Sequence, residues 1–336
     1  MTEISPLVEA QQKFAAAVPF RSVAAQSCVL AQALGRTLYT DLTAPGDSPP
    51  YHRAIVEGFV VNTAETQAAS EETPVSFAVV GEIKPGDEQC PAIGAGEALR
   101  VSTGSILADG PFSVVRMWEA NCSGGTFTIS RPFPPRFFIE ESGCDHKAGD
   151  VVLTAGTLLT AADLGVAASL GVEMLGVASQ PTVTLFSSGD EVVPHTAALA
   201  PGSIRDCNSI MLAAAVTGAG GIAHFGGIMR DDFDAFVSSA RQALEQSDML
   251  LISGGTAVGD RDFISDLVSE LGELLVDGVP MRSGRPLIMG VAGGKPIICV
   301  AGHPPEALRG FNLFGVAAMN RLLGRDVELP TDAVTN

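Results

Sequence analysis

The chain has 336 residues, 46% of them apolar, and a formal net charge of −18. That length and apolar content suit two or three domains with buried cores, and an aromatic share of 6% beside 37 glycines suits an α/β protein rich in tight turns rather than a repeat array. The composition argues against a nucleic-acid partner, because no Lys/Arg stripe stands ready to neutralise a phosphate backbone.

The first residues, MTEISPLVEAQQKF, carry acids where a secretory signal needs a basic start. No later stretch is a long uninterrupted apolar span, so a cytoplasmic protein without a membrane partner is expected. Six scattered cysteines with no C-x-x-C pair argue against a disulfide framework or a zinc site.

Residues 5–36 read as two helical segments, with Leu7, Ala10 and Phe14 on the first and Val29, Leu30 and Leu34 on the second. They break around Pro19 and end at Gly35, before the Pro/Gly-rich connection TAPGDSPPY. From about 55 to 145, short alternating runs such as GFVVNTA, VSFAVVGEI and FSVVRMWEA, separated by turn residues, predict a small β-rich lobe inserted into the chain. A helix follows between Leu158 and Leu175, opened by Thr160 as N-cap with Asp163 three residues on.

Beyond it strands and helices alternate: PTVTLFSS, SIMLAAAVTGAG, IAHFGGI, DAFVSSARQALEQS, DMLLISGG, DFISDLVSELG, KPIICVAG and PEALRGFNLFGVAAMNRLLG. This rhythm predicts a mostly parallel, doubly wound sheet with helices on both faces. The expected division is a helical and extended linker domain over 1–50 plus 146–175, a lobe over 51–145, an α/β domain over 176–325 and a tail over 326–336.

In a doubly wound sheet ligands bind past the carboxyl ends of the strands. Three loops there are unusual: Ser187 to Glu191 (SSGDE), Ser253 to Asp262 (SGGTAVGDRD), and Ala301 to Pro305 (AGHPP). Glycines and small hydroxyl residues let backbone N–H groups approach an anion, so Ser188, Gly189, Ser253, Gly254, Gly255, Gly302 and Pro304 are candidate cradle residues. The acids of the same loops, Asp190, Glu191, Asp260 and Asp262, repel one another and an anion, a conflict that a bridging Mg²⁺ or other divalent cation resolves. Asp260 or Asp262 can alternatively cap the helix that follows. Residues 176–325 hold 10 of the 20 Lys and Arg against 15 acids, and 1–175 hold the other 10 against 20 acids, which also places an anionic ligand in the C-terminal half.

Several segments, spanning about residues 5–325, resemble the motifs of the molybdopterin molybdenumtransferase family. Ala33-Leu34-Gly35-Arg36 matches its A-L-G-R opening, and Pro49 to Val60 (PPYHRAIVEGFV) sits where the family has P-P-F-D-N-S-A-M-D-G-Y-A. Thr103-Gly104 matches a T-G of the lobe, and Ser188-Gly189-Asp190-Glu191 matches S-T-G-D-E. Pro201 to Ser209 (PGSIRDCNS) resembles P-G-x-I-x-D-S-N, Ser253 to Phe263 resembles S-G-G-V-S-V-G-x-x-D-Y, and Ser283 to Pro286 resembles P-G-K-P.

The resemblance implies a MogA-like doubly wound domain preceded by a linker domain and an inserted lobe. It implies an enzyme of molybdenum-cofactor biosynthesis that takes adenylylated molybdopterin and molybdate, releases AMP and leaves molybdenum on the dithiolene. The catalytic positions carried over are Glu57, Thr103, Asp145, Glu191, Asp231 or Asp232, and Asp262, with Glu191 and Asp262 on the cation and Arg285 among the cofactor-binding residues. A homodimer with its site shared between chains is implied, with a molybdopterin adenylyltransferase and an acceptor molybdoenzyme as further partners. A specialised pterin-binding paralogue without catalysis, or a hydrolase on a similar fold, are the alternatives.

The chain departs from the family pattern at Glu57 and His52, each for Asp, at Arg285 for Lys, and at Ala301 to Glu306 for P-G-N-P-V-S. It also ends where relatives continue into a small β-barrel, and a shortened paralogue is the expected reading.

Overall fold

The computed structural model describes residues 5–230, 232–255, 263–279 and 287–326. They divide into two compact units, one formed by Leu42–Leu153 with Ser169–Gly171 and the other by the remaining described residues. No helix among the described residues is long and apolar enough to cross a membrane.

The chain opens with helix α1, Pro6–Ala17, started by Ser5, whose side chain accepts from the Val8 N–H, and by Pro6 in the first turn. Leu7, Ala10 and Phe14 are buried on it, as the apolar spacing predicts. The second expected helix does not form. Ala25–Val29 is instead a strand, paired antiparallel with Met174–Ala178, and only Leu30–Gln32 is helical, as one 3₁₀ turn. The physical reason is that Val29 and Leu34, read as a buried stripe, are 47% and 63% exposed. Without burial of that stripe the segment gains nothing from a helix, and backbone pairing with a distant strand prevails.

The inserted unit is built on a six-stranded sheet. Its strands are β1 Gly58–Asn62, β2 Val75–Ile83, β3 Glu97–Val101, β4 Phe112–Arg116, β5 Asn121–Ser123 and β6 Thr126–Ile129, in the order β4-β1-β3-β2-β6-β5. Alternation sends neighbours of β1 to opposite faces: Phe59 and Val61 enter one core with Phe77, Phe127 and Phe133, and Val60 enters another with Ile83, Leu99 and Val114. Phe127 stacks on Phe59 at 4.3 Å and on Phe77 at 5.4 Å between ring centroids. The two ends of the insertion meet, since Leu42–Thr43 pairs antiparallel with Val151–Leu153.

In the other unit, helix α2, Ala161–Ser169, opens on the expected reciprocal cap: Asp163 accepts from the Thr160 N–H at 2.8 Å, and Thr160 Oγ1 accepts from the Asp163 N–H at 3.4 Å. Then come β7 Thr182–Ser188, α3 Asn208–Gly218, β8 Ile222–Met229, α4 Phe233–Gln246, β9 Met249–Ser253, α5 Phe263–Leu271, β10 Glu273–Asp277, β11 Ile288–Ala292 and β12 Lys295–Val300. Helices α6, Pro304–Gly310, and α7, Val316–Leu323, close the unit, joined by a π turn at Phe311–Gly315.

The sheet runs β8-β7-β9-β12-β11-β10. The first four strands are parallel, and β11 and β10 extend the edge antiparallel. Neither of these two added strands is foreseen in the sequence. Val183 and Leu185 enter a core with α1, α3 and the closing helices, while Phe186 enters a second core with α4 and α5. Helices on both faces make this the expected doubly wound, mostly parallel arrangement. Phe14 of α1 meets Phe314 edge-to-face at 6.3 Å, and Gln11 Nε2 donates to the Leu313 carbonyl.

Candidate functional site

The carboxyl ends of β7, β9 and β12 stand level, with Ser187 beside Ser253 and Ser253 beside Val300. Glycine shapes the turns at these ends. Gly254 has φ +93°, its N–H donates to the Val300 carbonyl at 3.1 Å, and a Cβ there would lie 2.4 Å from the Ser188 carbonyl oxygen. Only glycine allows that approach. A Cβ on Gly302 would in turn lie 3.5 Å from the Gly254 Cα, so the SGG and AGHPP loops run against each other.

Two buried polar atoms here lack a partner among the described residues. Ser188 is 5% exposed and Asn208 is 8% exposed, yet Ser188 Oγ and Asn208 Oδ1 have no hydrogen-bond partner among the described residues. Asn208 Nδ2 donates to the Gly302 carbonyl at 2.8 Å, and the ideal Cβ of Gly255 would sit 3.3 Å from Ser188 Oγ, so both belong to this cluster of loops. Buried polar groups are otherwise almost always satisfied.

Asp206, 5% exposed, holds the arrangement together: it accepts from Ser187 Oγ at 2.8 Å and from the Ser209 N–H at 3.0 Å, tying the end of β7 to the start of α3. Asp206 and Asn208 lie in the PGSIRDCNS motif, but sequence reasoning gives them no role. Their type and spacing at a helix start are the signal that could have found them. Arg230, just past β8, escapes the sequence reading as well; it donates to the Asp190 carbonyl, and its guanidinium lies 3.9 Å from the Asp190 carboxylate.

The exposed Glu191 carboxylate folds back over Gly189, where a Cβ would meet it at 2.7 Å. Asp232 caps α4, accepting from the Ala235 N–H at 3.1 Å. Pro304 opens α6 directly after Gly302 and His303. Asp231, Asp260, Asp262 and Arg285 lie outside the described residues.

The inserted unit gathers the other candidates at one end of its sheet. Gly58 pairs with Val101 on one side and Arg116 on the other, which sets Glu57 beside the Ser102–Ser105 turn that carries Thr103. The Gly104 N–H donates to the Ala54 carbonyl at 2.7 Å and the Ala54 N–H to the Ser105 carbonyl at 3.0 Å, locking that turn to the PPYHRAIVEGFV segment. Asp145, Glu140 and Cys144 place ligand atoms within 4.8 Å of one another. Arg53 donates to Glu140, which raises the Arg53 pKa, and burial, followed by the neighbouring carboxylates, raises that of the Cys144 thiol. His52 is structural: its Nδ1 accepts from the Ser142 N–H at 3.0 Å.

At the same end, Arg116 grips Glu119 with two bonds of 2.8 and 3.0 Å, and Arg131 also donates to it. The Arg116 hydrogen bonds, opposed by partial burial and reinforced by Arg131, hold the Glu119 carboxyl down at about 2.

Residues 5–171 match the MoeA N-terminal region (domain I and II), and residues 184–321 match the probable molybdopterin binding domain. The molybdopterin biosynthesis MoeA protein of Pyrococcus horikosii superposes with a TM-score of 0.80 at 31% identity, covering 96% of this chain and 81% of that one. The chain belongs to the MoeA family. The molybdopterin molybdenumtransferase of Staphylococcus aureus strain Mu50 is 29% identical over 304 residues, 90% of this chain and 73% of the relative. That of Staphylococcus epidermidis strain RP62A is 29% identical over 296 residues, 88% and 71%.

Proposed function

We propose that this MoeA-family chain is a molybdopterin molybdenumtransferase, which inserts molybdenum from molybdate into adenylylated molybdopterin with release of AMP. The observation that carries the reading is the pair of unsatisfied buried atoms, Ser188 Oγ and Asn208 Oδ1, among strand-end glycines that admit no side chain. Such a site suits a pterin that carries a phosphate: the Ser188 hydroxyl donates to a phosphate oxygen, and Asn208 Oδ1, an acceptor, takes an N–H of the ligand.

The exposed carboxylates beside it, Glu191 first, offer hard oxygen donors of the kind a divalent cation takes, with Asp262 as its sequence partner. When bound, Mg²⁺ would offset phosphate charge. In the lobe, Glu57, Thr103 and Asp145 provide acid and hydroxyl groups for handling molybdate.

The test is incubation of purified protein with adenylylated molybdopterin and molybdate, with and without prior chelation. Molybdate-dependent AMP release that needs added Mg²⁺ is expected. Retention of the intact ligand without turnover would replace this reading with a carrier for the pterin. Full turnover in chelator-treated protein would remove the cation from the scheme.

A further inference from the structure

The chain's single tryptophan, Trp118, is 71% exposed, the most exposed of its large apolar side chains among the described residues. It is not loose. The Arg116 guanidinium carbon lies over the Trp118 ring at 4.9 Å from its centroid and over the Phe138 ring at 4.8 Å, so two aromatic rings flank the arginine. The two hydrogen bonds that Arg116 donates to Glu119 fix the guanidinium, and Arg131 fixes Glu119 in turn.

Phe138 itself is held in an unusual backbone state. Its φ is +56°, in the left-handed region that favours glycine, and its carbonyl accepts from the Ile55 N–H at 3.1 Å. Arg136, two residues earlier, has φ +61°. Non-glycine residues persist there only where their surroundings over-determine them.

This cluster stands at the corner of the lobe that carries the motif acid. The Met117 N–H donates to the Glu57 carbonyl at 3.2 Å, so the residue before Trp118 is bonded to Glu57. Next to it, a Cβ on Gly58 would lie 1.9 Å from the Val115 carbonyl oxygen, so only glycine lets the two strands approach this closely.

We propose that Trp118, backed by Arg116 and Phe138, is a stacking platform of the lobe for a fused nitrogen heterocycle. This rests on the functional reading above, whose substrate offers two such rings, a purine and a pterin. Arg116 is held by Glu119, which it shares with Arg131, so its guanidinium is fixed as a brace under the ring. It presents a braced aromatic face, and a flat π-system is the ligand such a face recognises.

The experiment is calorimetric titration of the full chain with AMP, with 6-hydroxymethylpterin and with ribose 5-phosphate, for wild type, Trp118→Ala and Trp118→Phe. Quenching of the sole tryptophan by AMP is read in parallel. At least one ring-bearing ligand is expected to bind Trp118→Ala roughly tenfold or more weakly, in keeping with base–aromatic stacking. Trp118→Phe should recover most of the loss, and ribose 5-phosphate should not distinguish the three proteins. Which ligand responds identifies the ring.

Equal binding of both ring ligands by wild type and Trp118→Ala, or binding of neither by wild type, overturns the platform. A platform that fails while molybdate-dependent turnover persists leaves the transferase reading standing. Ring binding that depends on Trp118 in a protein without turnover does the reverse.

Discussion

Ser188 carries a buried hydroxyl with no hydrogen-bond partner among the described residues, and this makes its removal a clean experiment. Deleting a side-chain hydrogen bond normally costs about 0.5–1.5 kcal/mol, but here no internal bond among the described residues is lost. Ser188→Ala is therefore expected to leave unfolding free energy within about 0.5 kcal/mol of wild type while weakening the phosphate-bearing ligand by about tenfold, the worth of one lost bond to a charged group. Denaturant melts and calorimetry check both halves; unchanged affinity would deny the hydroxyl a ligand. Residue identity made Ser188, Gly254 and Gly302 legible in the sequence, because small residues after a strand have few other uses. Asp206, Asn208 and Arg230 were not, since their contacts depend on which strand ends lie side by side.

Between elements, Glu119 is the clasp of the lobe corner, receiving Arg116 from the end of β4 and Arg131 from beyond β6. Its carboxyl is lowered from 4.5 to about 2 in the folded protein, so between those values the unfolded chain holds the extra proton. The stabilisation is thus complete above about 4.5 and is lost as pH falls through about 2. Glu119→Gln should flatten the acid limb of stability against pH in that window and leave its shape near neutrality alone; thermal melts at stepped pH measure it. The helices and parallel strands from 182 to 323 were readable because apolar spacing switches cleanly between the two periods. Pairing of Ala25–Val29 with Met174–Ala178 joins segments with no mark of each other in their local pattern. The hairpin of β10 and β11 escaped for a related reason, being two short runs on either side of a long connection.

At the scale of the molecule, an exposed apolar strip remains: Val29 and Met174 are cross-strand partners, 47% and 49% exposed, and Leu34 and Leu158, 63% and 49% exposed, lie on segments bonded to the same ribbon. We take this strip as support for the proposed homodimer, in which a second copy covers it. Sedimentation equilibrium should return twice the chain mass of 34.6 kDa, and Met174→Glu should shift it toward one. A wild-type monomer at micromolar concentration would remove the dimer. The paired strands at the two ends of the insertion carry a separate consequence, for the order in which the protein is made. All six strands of the lobe sheet lie between Gly58 and Ile129, and the closing ribbon is complete at Leu153, so a ribosome delivers them all before it reaches β7 at Thr182. Helix α1, made before the lobe, finds its partners Leu313 and Phe314 only about 300 residues further along the chain. The nascent chain therefore carries a finished lobe while helix α1 still waits, with Leu7 and Phe14 without those partners through that interval.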